Sequence, residues 1–70
     1  MSAPPTFTEE DARTMLDDAY AHTLDYDADA RTFVCTIQIE RSGAVGTGTG
    51  PRMQDAAWAA VLAALDATRR

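Results

Sequence analysis

The chain has no lysine and a single cysteine, Cys35. Its six basic residues are all arginines, eleven residues are acidic, and the formal net charge is −5 at pH 7. Non-specific affinity for nucleic acids comes from cations that replace counterions on phosphates, so this balance disfavours a surface that follows a phosphate backbone. It equally disfavours attraction to an anionic membrane surface. One cysteine excludes a disulfide within the chain, and we expect a reducing, cytoplasmic location.

Long apolar runs are also missing, as is a basic stretch followed by an apolar run at the N-terminus. The sequence therefore predicts neither a membrane-spanning helix nor an export signal. Seventy residues make at most one domain, and 46% hydrophobic residues indicate a globular chain. Much of this content is alanine, so we expect a thin core that dimerisation would help. We expect a flexible tail over 1–6 and a single domain over 7–70.

The first predicted element is an amphipathic helix from about Glu9 to Ala21. Thr8 is a good N-cap, with Asp11 in the capping-box position. An apolar stripe follows at helical spacing: Ala12, Met15, Leu16, Ala19 and Tyr20. The next segment is ambiguous, because Thr23–Tyr26 alternates and is compatible with a short edge strand. Asp27–Ala30 suits a polar turn.

The strongest strand signal runs from Thr32 to Arg41. Its apolar face holds four residues: Phe33, Cys35, Ile37 and Ile39. Its other face is mostly polar, as in an antiparallel sheet that is covered on one side. We expect a hairpin turn at Ser42–Gly43 and then a glycine-spaced strand, in which Gly46 and Gly48 leave room for close approach of another backbone or a helix.

The last predicted helix runs from about Arg52 to Thr68 and follows Pro51. Its predicted core-facing stripe is Met53, Ala57, Trp58, Val61, Leu62 and Leu65. The element order is therefore helix, three strands, helix. We predict an α+β fold in which a three-stranded antiparallel sheet carries both helices on one face.

This α-β-β-β-α pattern resembles the double-stranded RNA-binding domain (dsRBD). The resemblance is carried by the strand Phe33–Ile39, the turn glycine Gly43, Gly46-Thr47-Gly48, and the alanine-rich segment Ala57–Leu62. It covers about Thr32–Leu65 well and the first half only by element order. The resemblance implies three RNA-contacting regions: lysines at the start of the last helix, a G-P-x-H motif between the first two strands, and polar groups on the first helix.

These three regions differ in this chain. The last helix begins with Arg52 and Asp55 in place of a lysine run, the loop Asp27–Ala30 has no histidine, and the first helix carries Asp17 and Asp18. We therefore expect a small non-enzymatic dsRBD-like domain that acts as a protein-interaction or dimerisation module, with weak or no binding of duplex RNA. Its partner would be another protein or a second copy of the chain. The candidate interaction residues are Val34, Thr36, Gln38, Trp58 and Leu62.

The alternative is a protein that binds duplex RNA through an arginine patch near the second helix. The residues of this patch would be Arg31, Arg52, Arg69 and Arg70, clustered at one end of the fold.

We predict no catalytic, cofactor or metal site. Gly46-x-Gly48-x-Gly50 precedes a helix but lacks the P-loop lysine and the spacing of a dinucleotide fingerprint. His22 has Asp25 and Asp27 as candidate acid–base or metal partners, although a plain helix-end residue is preferred. The alternating Asp25, Asp27 and Asp29 lack the glycine and glutamate of a calcium loop, so a solvated turn is preferred. Cys35 is expected to be an inert core residue.

Overall fold

The computed structural model describes residues 4–19, 21–39 and 42–69. In chain order, its elements are helix α1 (Glu9–Asp17), strand β1 (Ala21–Asp27), strand β2 (Thr32–Gln38), strand β3 (Val45–Gly50) and helix α2 (Met53–Thr68). The strands form one antiparallel sheet in the order β1-β2-β3. Both helices contribute to one core with the same sheet face. This confirms the predicted α+β architecture. Predictions on Tyr20, Glu40, Arg41, Arg70 and residues 1–3 lie outside the described residues.

Helix α1 begins where the sequence predicts, because Thr8 and Asp11 cap it reciprocally. The Thr8 hydroxyl accepts from the Asp11 N–H at 3.2 Å, and the Asp11 carboxylate accepts from the Thr8 N–H at 3.1 Å. Aspartate thus fills the role usually taken by glutamate or glutamine. Ala12 and Leu16 are buried, as their stripe predicts. The helix is shorter than expected, since Ala21 already pairs with Gln38 as the first residue of β1.

Strand β1 is longer than the segment Thr23–Tyr26 suggested. It pairs with β2 from Ala21 opposite Gln38 to Asp27 opposite Thr32. His22, expected at a helix end, is instead the second residue of β1 and lies opposite Ile37. A long, strongly alternating β2 offers pairing sites over this whole length, and main-chain hydrogen bonding to it outweighs the weak local preference of the segment.

The hairpin between β2 and β3 is longer than the turn predicted at Ser42–Gly43. The Ile39 N–H donates to the Ala44 carbonyl at 2.9 Å, and the Gly43 N–H donates to the Ile39 carbonyl at 2.7 Å. Ile39 and Ala44 therefore close a connection of four residues. Gly43 has a φ of 69°, a left-handed conformation that glycine adopts without steric cost.

The contact between β3 and α2 is unusually close because it joins glycines to alanines. Gly46, Gly48 and Gly50 are buried, while Ala56, Ala60 and Ala64, spaced by four residues on α2, have no exposed surface. A Cβ added at Gly48 would lie 2.2 Å from the Ala60 main-chain nitrogen, and one at Gly46 would lie 2.2 Å from that of Ala64. The predicted role of the glycines, to admit a helix, is confirmed.

This contact corrects the predicted core-facing stripe of α2. The buried residues of the helix are Met53, Asp55, Ala56, Ala57, Ala60 and Ala64, whereas Trp58, Val61 and Leu62 are half-buried and Leu65 is 43% exposed. The helix is rotated so that its small residues face the glycines. Close main-chain packing along β3 outweighs the burial of larger side chains that a stripe of higher hydrophobicity would give.

Candidate functional site

The outer sheet face is the side of the sheet opposite to the two described helices. Alternation and register place on it Thr23 and Asp25 of β1, Thr32, Val34, Thr36 and Gln38 of β2, and Val45, Thr47 and Thr49 of β3. All the β2 and β3 members are uncharged. The Thr36 and Thr47 hydroxyls are hydrogen-bonded across the strands at 3.2 Å. Most of the residues on this face are β-branched and uncharged, and its acids lie at the β1 margin.

A shallow depression crosses the outer sheet face near the β2–β3 hairpin. Its cavity volume is about 180 Å³, and its lining includes Thr23, Thr36, Gln38 and Val45. Val45 is 54% exposed, which is high for a valine in a strand. Three of the predicted interaction residues, Val34, Thr36 and Gln38, therefore lie together on an open surface.

The other two predicted interaction residues lie elsewhere. Trp58 and Leu62 are on α2, on the helix side of the sheet, and both are half-buried. The Trp58 ring contacts the Phe7 ring with a centroid separation of 5.1 Å and an interplanar angle of 55°. Trp58 thus serves to hold the segment before α1 against α2, and the five candidates do not form one surface.

A second open surface borders β1 on the helix side, and we name it the β1 groove. It is lined by Arg13, Leu16, Asp17, His22, Leu24 and Met53 and has a cavity volume of about 180 Å³. Leu24 is 37% exposed, and Tyr26, two residues on, is 54% exposed. The Tyr26 ring contacts Phe33 with a centroid separation of 4.9 Å. Sequence reasoning missed this groove, although the alternation of Leu24 and Tyr26 placed them on one side of a strand.

The candidate arginines lie at two ends of the molecule. Phe33 pairs with Gly50, so the turn that contains Arg31 lies at the same end as Arg52. Arg69 follows the far end of α2, about 25 Å from Arg52 at 1.5 Å per helical residue. Arg70 lies outside the described residues. The single patch that the alternative requires is therefore not assembled by the described arginines.

Arg52 is also engaged within the chain. Its Nε and one terminal nitrogen donate to the two carboxylate oxygens of Asp55 at 2.9 and 3.1 Å. The hydrogen bonds and the charge of Asp55 raise the pKa of Arg52 above its ordinary value, so the guanidinium stays charged. The Asp55 side chain is only 4% exposed. A bidentate pair of this kind occupies one edge of the guanidinium and offsets its charge, which reduces its attraction for a phosphate.

The other chemistry-bearing residues do not converge on a site. His22 is separated from Asp25 and Asp27 by an odd number of strand positions, so it projects from the opposite side of β1. The Asp27 carboxylate accepts from the main-chain N–H groups of Asp29 and Ala30 at 3.0 and 3.2 Å, which closes the turn. Within the ranges described, the structure places no three potential metal ligands together.

Cys35 and the glycine run are structural. Cys35 is fully buried, as predicted, and burial raises the pKa of its thiol, which disfavours the reactive thiolate. The space above Gly46 and Gly48 is filled by the α2 main chain, so no phosphate can enter between them. Neither described helix is long and apolar enough to cross a membrane.

Comparison with family models, with curated proteins and with solved structures finds no match for this chain.

Proposed function

We propose that this chain is a cytoplasmic, non-enzymatic protein-interaction module on a dsRBD-like fold, and that it self-associates through the outer sheet face. The observation that carries the proposal is the uncharged surface formed by Val34, Thr36, Val45, Thr47 and Thr49 on the side opposite to the two described helices. Two such faces can pack as the layers of a sandwich, about 10 Å apart.

Charge restricts the surfaces through which two copies can associate. The chain carries a net charge of −5, so most relative orientations of two copies bring acids together. Stacking of the outer sheet faces puts neutral residues of β2 and β3 at the centre and leaves Asp25 at the margin in water. A thin alanine-based core also gains from burial of further surface, because small domains bury a modest fraction of what their unfolded chains expose.

Binding of duplex RNA is weak or absent in this proposal. Arg52 is paired with Asp55 at the start of α2, and Arg13 on α1 is paired with Glu9 at 2.9 Å. The β1–β2 turn presents Asp27 and Asp29. Each region through which the dsRBD resemblance would bring phosphates to the protein thus carries an acid beside its base, and such pairs leave few counterions to be displaced from RNA.

The proposal predicts that Val34→Asp weakens self-association and leaves the fold intact. Val34 lies at the centre of the outer sheet face and is half-buried there, and two buried carboxylates would face each other across the interface. Sedimentation equilibrium of wild type and variant measures the change, which we expect to exceed ten-fold in the dimer dissociation constant, or about 1.4 kcal/mol.

Leu65→Asp is the matched control, because Leu65 is an exposed apolar residue on α2, away from the outer sheet face. It should leave the dissociation constant unchanged. Circular dichroism establishes that both variants fold. A wild-type protein that stays monomeric at high concentration would overturn the proposed self-association.

A further inference from the structure

The free edge of β1 is the strongest open feature that self-association through the outer sheet face does not use. Among the described residues, β1 pairs with β2 alone, and all seven of its residues are exposed. An edge strand presents unpaired main-chain N–H and C=O groups, which serve as a template for an added strand. β3 is the other edge, but α2 lies directly on its glycines, so an added strand there would find no groove for its side chains.

The β1 groove gives this edge an apolar side. Leu24 lies opposite Cys35 and Tyr26 lies opposite Phe33, so these two side chains point to the helix side of the sheet. Leu24 lines the groove together with the buried Leu16 and Met53, and Tyr26, two residues further along β1, is exposed. A strand added about 4.8 Å from β1 would place every second side chain beside Leu24 and Tyr26.

The other side of the same edge is acidic. Asp25 and Asp27 project from β1 to the outer side, and Asp29 follows in the turn. β1 itself has no basic residue apart from the titratable His22 on the groove side. Side chains of an added strand that alternate with those in the groove would therefore lie beside carboxylates, and lysine or arginine fits these positions.

From these three features we propose that β1 captures an extended segment of another protein in which apolar and basic residues alternate. The apolar residues enter the β1 groove beside Leu24 and Tyr26, the basic residues pair with Asp25 and Asp27, and the main chain hydrogen-bonds to the β1 edge. Strand addition of this kind is a general mode of peptide recognition. A second copy does not fit, because pairing β1 with itself brings aspartates close together. The site shares only the acidic β1 margin, Asp25 and Asp27, with the outer sheet face.

The test uses the whole protein and a fluorescent peptide KLRLKLRL, titrated by anisotropy at low salt. We expect saturable binding, with amide shifts in the NMR spectrum confined to β1, the C-terminal half of α1 and Met53. Asp25→Lys should weaken binding about five-fold or more, because it turns cross-strand attraction into repulsion. Asp66→Lys, the same charge change at an exposed site on α2, should have less than a two-fold effect if the site rather than the net charge is responsible.

Two further comparisons separate strand addition from general charge attraction. Methylation of alternate peptide nitrogens blocks one edge of the peptide, so one of the two alternately methylated peptides should lose binding and the other should keep it. Leu24→Ser should weaken binding of the unmodified peptide about ten-fold. Equal binding of both methylated peptides, or equal loss in Asp25→Lys and Asp66→Lys, overturns the proposal. Loss of self-association in Leu24→Ser would also overturn it, by assigning the edge to a second copy.

Discussion

At the scale of single residues, both hairpin connections contain a residue in the left-handed backbone conformation, but the amino acid differs. Gly43, before Ala44, has a φ of 69°, and Arg31, before β2, has a φ of 54°. The left-handed region costs a residue with a Cβ about 1–2 kcal/mol, and glycine nothing comparable. The backbone of Arg31 is therefore strained. Two features of the turn impose this conformation: the pairing of Asp27 with Thr32, and the hydrogen bonds from the turn to the Asp27 carboxylate.

We predict that Arg31→Gly stabilises the fold. Relief of the left-handed strain exceeds the extra entropy that glycine loses on folding, and the net gain should be about 0.5–1 kcal/mol in the free energy of unfolding. Urea denaturation measures it. Arg31→Ala is the control, since it removes the charge and keeps the Cβ. An equal gain in both variants would trace the effect to charge rather than to backbone conformation.

At the scale of elements, the packing of α2 on β3 decides where the large apolar residues go. The register of β3 puts a glycine at each inward position, and the α2 residues that pack against these glycines are Ala56, Ala60 and Ala64. Because the two main chains touch, this pair of elements tolerates no added atom. The consequence is that Leu65 is exposed and Leu62 only half-buried, although both are more hydrophobic than the buried alanines.

We predict that Gly48→Ala destabilises the protein by about 3 kcal/mol or more, the upper end of the range for overpacking. The added Cβ would meet the Ala60 nitrogen and the Ala56 carbonyl oxygen, which belong to the helix backbone and cannot rotate away. Thermal and urea unfolding followed by circular dichroism measure the loss. Thr49→Ala, on the outer side of the same strand, should cost at most about 1 kcal/mol.

The same contact predicts that a second substitution on α2 will not restore the stability lost in Gly48→Ala. Adding Ala60→Gly to Gly48→Ala removes a side chain but not the main-chain atoms that clash, so stability should not return. A Gly48→Ala variant as stable as Thr49→Ala would mean that helix and strand are further apart than described.

At the scale of the whole molecule, the feature of interest is how charged and uncharged residues are distributed over the surface. Arg31 and Arg52 lie at one end of the fold and Arg69 at the other. Arg13 and Arg52 are paired with Glu9 and Asp55. The uncharged area is gathered on the outer sheet face. Salt should therefore act oppositely on the two functions considered, because screening weakens phosphate binding and relieves the repulsion between two acidic copies.

We predict that a titration with duplex RNA at low salt gives no saturable binding, while self-association tightens as salt is added. The double variant Gln54→Lys, Asp29→Lys tests the reason, since it raises the net charge by three units at the α2 start and the β1–β2 turn. Salt-sensitive RNA binding should appear in that variant. Saturable binding by the wild type that weakens with salt would instead support the alternative function through Arg31 and Arg52.

Local patterns were sufficient for the order of the elements and for much of the core. Alternation predicts the buried face of β2, and the capping residues predict the start of α1. Glycine at every second position of β3 predicts that another element packs closely against it. These features depend on residues that are near one another in the chain, so the sequence alone is enough to predict them. Alternation also places Val34, Thr36 and Gln38 together on the outer sheet face, and their role in protein interaction stays a prediction.

Contacts between distant segments set the rest. The full length of β1 depends on pairing with β2. The buried side of α2 depends on the glycines of β3, and the β1 groove depends on how α1 and Met53 lie beside Leu24. The division of the arginines between two ends follows from the direction of α2 across the sheet. These outcomes depend on how main-chain packing competes with side-chain burial. The result of that competition depends on which surfaces come into contact, and only the folded structure decides this.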